Sequence, residues 1–249
     1  MAKQTGLFKI KGTLDNVTFY KTKDGNLAKM KTSIDGARIA TDPSFARTRE
    51  NGAEFGSSAT SGKLMRDTLR NITVNSADNR LVARVTQLMT KIKNLDLTSI
   101  RGARNVGVAM AGVPAKALMK GFEFNKDALL GSVLFKPYVL VPATGVITIA
   151  GLVPANDFQW PQGATHVSLT GGYANINYVS GITDFKLTNI SNLAITAPLS
   201  AINLTPTALP VGTGTKIYLL KVEFFQLING VQYSLKNGAY NALRIIEVA

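Results

Sequence analysis

From about Phe135 to the C-terminus the sequence is cut into short runs of Val, Ile, Leu and Thr by Pro, Gly and Asn, a pattern that leaves room for strands and very little else. The runs predict strands over Val146–Ala150, His166–Gly171, Ile182–Leu187, Leu193–Thr196, Ala201–Thr205, Thr215–Leu227, Val231–Leu235 and Ala242–Val248. Asn229-Gly230, set between Leu227-Ile228 and Val231, is a hairpin signal, because both residues of the favoured two-residue turn need a positive φ. So many short strands in about 110 residues point to a β-sandwich or related barrel.

Charge separates this region from what precedes it. Residues 1–140 hold 23 of the 28 Lys and Arg against 11 of the 15 Asp and Glu, a net of +12, whereas residues 141–249 carry a net of only +1. A basic field confined to one half attracts polyanions or acidic protein surfaces through salt-sensitive forces, or simply keeps that half soluble.

The opening of the chain reads as a three-stranded meander over 7–13, 17–23 and 27–32, with turns at Asp15-Asn16 and Asp24-Gly25. Two-residue turns at both sites place Gly12 opposite Phe19 and Phe19 opposite Met30. Phe8, Ile10, Phe19, Ala28 and Met30 then share one face. The other face carries Lys9, Lys11, Thr18, Tyr20, Lys29 and Lys31, since side chains alternate with period two. Lysines around a tyrosine suit a polyanion, or they guard the edges of a solvated sheet.

Asp42-Pro43 predicts a helix start, with Asp as the N-cap and Pro where a missing N–H costs nothing. That helix is expected to reach Gly56, with Ala46, Gly52, Ala53 and Gly56 forming an unusually small side. Glycine costs up to about 1 kcal/mol inside a helix relative to alanine, so its use there suggests close approach of another backbone, in the same chain or in a second copy. After a Ser/Thr/Gly break, Leu64, Met65, Leu69 and Ile72 mark a shorter helix. The clearest helix is 79–93, where Leu81, Val82, Val85, Leu88, Met89 and Ile92 make one stripe and Arg80, Arg84, Gln87 and Lys91 another. Arg80, Arg84 and Lys91 are the second set of candidate polyanion contacts. Gly102, Gly107 and Gly112 punctuate a Gly/Ala-rich segment expected to hold short helical turns or an arm.

Catalytic signatures are weak. The run Gly56-Ser57-Ser58-Ala59-Thr60-Ser61-Gly62-Lys63-Leu64 imitates a phosphate-binding loop but has one residue too many between its glycines, and Leu64 stands where a magnesium-binding hydroxyl belongs. The chain has one histidine, His166, and no cysteine, which rules out thiolate sites, disulfides and a multi-histidine metal site within one chain. A Ser-His-Asp arrangement would have to draw on His166 with Asp157 or Asp184 and Ser168, and no nucleophile elbow accompanies them. No enzyme activity, cofactor or metal is expected. Lys9 and Lys11 interrupt the apolar run a signal peptide needs, and no stretch has the roughly 20 apolar residues of a membrane span. A cytoplasmic protein, or a particle made in the cytoplasm, is expected.

The stretch Phe8-Lys9-Ile10-Lys11-Gly12-Thr13-Leu14-Asp15-Asn16-Val17-Thr18-Phe19-Tyr20, followed by Thr41-Asp42-Pro43-Ser44-Phe45-Ala46-Arg47-Thr48-Arg49-Glu50-Asn51, resembles a group of uncharacterised bacterial or phage-associated proteins. The likeness covers the first seventy or so residues and the closing Asn229-Gly230…Asn237-Gly238-Ala239-Tyr240-Asn241 region. It implies no activity and no site residues.

The expectation is an α+β chain: a basic β-meander and helical region over 1–130, then a charge-poor, all-β sandwich-like domain over 131–249. A nearly charge-free β domain opposes contact with its own copies very little. The expected function is therefore a self-assembling structural subunit, such as a virion, tail-like or filament component, whose partner is itself. The alternative is a nucleic-acid-binding protein that uses its basic half, or a binder of an acidic protein surface.

Overall fold

The computed structural model describes residues 2–31, 36–235 and 239–249. Thr32, the end of the third predicted strand, and Asn237 and Gly238 lie outside the described residues. Helices and antiparallel sheets make a mixed α+β chain. It divides into two compact units, 1–49 and 50–249.

The first unit holds a four-stranded antiparallel sheet in the order β1-β4-β3-β2: β1 is Ala2–Lys3, β2 Gly12–Leu14, β3 Val17–Thr22 and β4 Gly25–Met30. The first turn is the expected Asp15-Asn16, and Gly12 faces Phe19. The second turn is Lys23-Asp24, because Thr22 pairs with Gly25; Phe19 therefore faces Ala28, and Met30 faces Val17. A slip of two residues preserves the faces. Leu14, Val17, Phe19, Ala28 and Met30 share one side, and Thr18, Tyr20, Leu27 and Lys29 share the other. Residues 4–11 run irregularly, tied by the Gln4 amide, which donates to Ile10 O (3.2 Å) while its Oε1 accepts from Ile10 N (2.9 Å). Helix α1 (Gly36–Thr41) follows, then a 3₁₀ turn over Pro43–Phe45 capped by the Asp42 carboxylate, which accepts from Ser44 N at 2.9 Å. None of the described residues up to Arg49 is buried.

Helix α2 (Ala46–Thr68) is continuous through the Ser/Thr/Gly stretch, so the predicted break is absent. Short side chains are tolerated there because Ser58, Ser61 and Gly62 form the buried side of the helix. The phosphate-loop imitation is thus helix interior and makes no cradle. Helix α3 (Arg70–Thr73) and helix α4 (Leu81–Lys93) come next. On α4, Leu81, Val85, Leu88, Met89 and Ile92 are buried as the stripe predicts, while Val82 is exposed. Helices α5 (Val106–Ala109), α6 (Val113–Met119) and α7 (Leu130–Val133) fill the Gly/Ala-rich segment and its sequel.

Strands β5 (Val139–Val141) and β6 (Val146–Leu152), helix α8 (Pro154–Asp157), and strands β7 (His166–Ile176), β8 (Thr183–Ala194), β9 (Ser200–Leu204), β10 (Thr215–Ile228), β11 (Val231–Ser234) and β12 (Ala242–Val248) complete the chain. The large sheet runs β11-β10-β7-β8 with β12 also on β10, and a smaller sheet runs β5-β6-β9. Strand β10 is apolar on both faces, and the alternation of its side chains explains why. Ile217 and Leu219 join Ala174, Ile176, Leu243 and Ile245 against Met65, Leu69, Ile72, Met89 and Ile92 of the helices. Tyr218, Leu220, Val222 and Phe224 face the opposite way and pack with Ile147, Ile149, Ile202 and Leu204 of the smaller sheet, the sandwich-like layer. Helices and large sheet thus share one core, sealed by polar ties. Lys221 Nζ donates to Val74 O at 2.8 Å, and the fully buried Asn241 amide donates to Asn75 O at 2.8 Å while accepting from Phe224 N at 3.0 Å.

Candidate assembly and polyanion surfaces

The lysine face predicted for the first unit is only partly brought together. Lys29 Nζ lies over the Tyr20 ring, 5.8 Å from its centroid, on the face their register assigns them. Lys9 and Lys11 stand before β2, because that strand starts at Gly12, and Lys9 Nζ is turned onto Gln4 O (2.8 Å) and Gly6 O (2.5 Å). Lys31 follows the end of β4, where its N–H closes onto Asn16 O at 2.6 Å. Tyr20 with Lys29 is what remains of a platform.

The second candidate set separates into two kinds. Arg84 is a structural tie: it pairs with Asp78, donates to Glu123 O and Phe124 O, and lies 5.1 Å over the Phe122 ring. Burial works to raise the Asp78 carboxyl. The N–H groups of Lys126 and Arg80, with the Arg84 charge, outweigh it and hold the group below its ordinary value. A guanidinium committed on four sides is not offered to a polyanion. Arg80, at the N-cap of α4, and Lys91, on the helix, are exposed.

For the candidate packing face the outcome is split in a different way. Ala46 is half-buried at the start of α2, and Gly52, Ala53 and Gly56 are exposed; a Cβ on Gly52 or Gly56 would find no atom within 4 Å. The glycine that does permit close approach within the chain is Gly62, where a Cβ would lie 3.2 Å from Val85 Cγ1. Sequence reading placed Gly62 in a break because the residues before it are Ser, Ala and Thr. What could have flagged it is its spacing, three residues before Met65 and seven before Leu69, on one side of a helix. Beside the small face, Phe55 with Ala83, Thr86, Gln87, Thr90 and Lys91 lines an open groove of about 610 Å³ between α2 and α4.

The interior side of α2 carries an ion pair that sequence reading missed. Glu54 and Lys93 are both nearly fully buried and bonded to each other, and Glu54 Oε1 also accepts from Gly102 N at 2.8 Å. The Lys93 ammonium, then the Gly102 N–H, hold the Glu54 carboxyl below its ordinary value against the opposing effect of burial. A nearby buried carboxylate, Asp96, accepts from Thr98 N, Ser99 N and Asn105 N at 3.0–3.1 Å and organises the loop after α4. These groups have protein partners and read as framework.

His166 Nδ1 sits 3.0 Å from Thr165 Oγ1 at the start of β7, and Ser168 Oγ donates to Asn192 Oδ1. Among the described residues no group of three His, Cys, Asp or Glu side chains is placed to hold a metal ion, and no described helix is long and apolar enough to cross a membrane. No family model matches the chain, and neither a curated protein nor a solved structure matches it.

Proposed function

We propose that the protein is a structural subunit that assembles with copies of itself, as a component of a virion, a tail-like particle or a filament made in the cytoplasm. The observation that carries this reading is the first unit. Its sheet has an apolar side built from Leu14, Val17, Phe19, Ala28 and Met30, yet none of its described residues is buried, and Leu7, Phe8 and Ile10 are exposed beside it. A small sheet gains stability by packing a hydrophobic face, and among the described residues of this unit none is buried against this one. Assembly completes such a fold. The net charge of only +1 over residues 141–249 leaves a surface on which copies meet with little repulsion.

Nucleic-acid binding is the second reading, resting on the net +12 of residues 1–140 and on Lys29 over Tyr20. Size-exclusion chromatography with light scattering, at low and high salt and with added nucleic acid, separates the two. Self-assembly gives an oligomer that resists salt. A monomer at every concentration and salt rejects it, and a species that grows only with nucleic acid, and loses it steeply with salt, favours the second reading.

A further inference from the structure

The β10–β11 hairpin runs past the end of the β7–β10 ladder. Strand β7 pairs with β10 only as far as Phe225, so Gln226, Leu227 and Ile228 have β11 as their one ladder partner among the described residues. Leu227 N donates to Thr165 Oγ1 at 2.7 Å, and the Gln232 side chain accepts from Asn192 Nδ2 of β8 at 3.0 Å, leaving the backbone edge of β11 to its own pairing. The side chains of Ile228 and Val231 stand opposite each other, as do those of Gln226 and Tyr233, on the same side of β10 as Tyr218, Leu220, Val222 and Phe224. They continue the inner face of the sandwich past the point where the smaller sheet covers it. Val231 is 51% and Tyr233 55% exposed.

Among the described residues no strand pairs with the outer edge of β11, whereas the other edges of this sheet receive loop hydrogen bonds. Strand β12 receives Gly121 N and Phe124 N on Ile245 O and Leu243 O, each at 2.8 Å. Strand β8 receives Thr207 N on Leu187 O at 3.0 Å and carries the Asp184–Lys186 ion pair. Natural sheets guard free edges with charge, proline or cover. From Phe224 to Leu235 there is no charged residue and no proline. With Asn229-Gly230 as a two-residue turn, Ile228 and Val231 exchange the first hydrogen bonds, so the N–H and C=O of Gln232 and Ser234 point away from β10.

We propose that β11 pairs antiparallel with β11 of a second copy, joining the two large sheets across a twofold axis at Tyr233. In that register Gln232 of each copy lies opposite Ser234 of the other, which are the residues whose backbone groups point outward. Tyr233 then meets Tyr233, with Val231 and Ile228 extending the apolar band on the same face. The absence of charge is what selects a copy of this chain as occupant. Near a twofold axis every charge faces itself, and two chains of net charge +13 repel wherever charge is present, so a self-contact belongs where none stands. A partner of opposite charge would gain more from the basic half. The inference rests on the self-assembly reading and names one of its contacts.

The test uses the full chain. Tyr233→Lys and Tyr233→Glu are each expected to weaken self-association at least tenfold with the melting temperature of the monomer unchanged. Mixing the two is expected to restore association, because opposite charges then meet across the axis. A cysteine-free chain also allows a single thiol: Tyr233→Cys should form a disulfide-linked dimer under mild oxidation, since directly opposed Cα atoms of a non-hydrogen-bonded pair lie about 4.5 Å apart, a span a disulfide bridges. Gly52→Cys should not. If the wild type assembles and both charge variants assemble equally well, or the mixture gains nothing, this contact is wrong and the self-assembly reading stands. A wild-type monomer at all concentrations overturns both.

Discussion

The two units solve the same problem in opposite ways. Residues 50–249 bury both faces of one antiparallel sheet, with helices on one side and a second sheet on the other, and lock the layers with buried polar ties such as Asn241 and Lys221. The described part of residues 1–49 forms a sheet of comparable regularity with no buried residue. Both have well-formed ladders, so hydrogen bonding does not distinguish them. Apolar area removed from water does, at roughly 25 cal/mol per Å². The difference teaches that a well-formed ladder does not by itself bury an apolar face: the second unit buries both faces of its large sheet, and the described part of the first buries neither.

The strongest way to break this comparison is truncation. A chain of residues 131–249 lacks Met65, Leu69, Ile72, Met89 and Ile92, which cover Ile217, Leu219, Leu243 and Ile245. It is expected not to fold, whereas residues 50–249 should unfold in one cooperative transition. Dispersed amide resonances from the 131–249 chain would show that the sheet does not need its helices.

Next in size is the buried ion pair. Lys93→Ala leaves Glu54 buried without its cation and should cost about 3–5 kcal/mol in urea unfolding, while Glu54→Leu with Lys93→Met should recover most of it. The same pair sets a pH dependence. Because the folded-state value of Glu54 lies below its ordinary 4.5, the stabilisation is complete above that value and is lost as pH falls through the lowered one. Unfolding midpoints should be flat from about pH 7 to 5 and fall below about 4.5, and a midpoint that rises on acidification would contradict this.

The glycines of α2 give smaller effects of opposite sign. Gly62→Leu drives a side chain into Val85 and should destabilise by about 1–3 kcal/mol. Gly56→Ala meets open space and should stabilise the monomer by up to about 1 kcal/mol. A loss of stability at Gly56 in the monomer would reveal packing within the chain. The smallest change belongs to the first unit: Met30→Ser, at an exposed position, should leave the melting temperature of residues 50–249 within experimental error.

Much of the second unit was legible in advance because its signals are local. Strand β12 runs over the residues its apolar run predicts, Asn229-Gly230 makes its turn, with φ of 50° and 80°, and the stripe on α4 marks the buried apolar positions, Val82 excepted. The surface candidates fared less well, because a side chain's role depends on its neighbours in space. Arg84 reads as surface charge until Asp78 and the carbonyls of Glu123 and Phe124 surround it, and Gly62 reads as a break until Val85 packs on it.

By itself, then, the sequence determined the alternation of α4 and the strands, the turns that need a positive φ, and the separation of charge along the chain, since each is set by steric limits or composition within a few residues. Only the tertiary structure decided that the helices and the large sheet share one core, that Glu54 meets Lys93 across 39 residues of chain, and that the first unit ends at Arg49. Those outcomes depend on which apolar faces meet, and burial is a property of pairs of surfaces that no single segment contains.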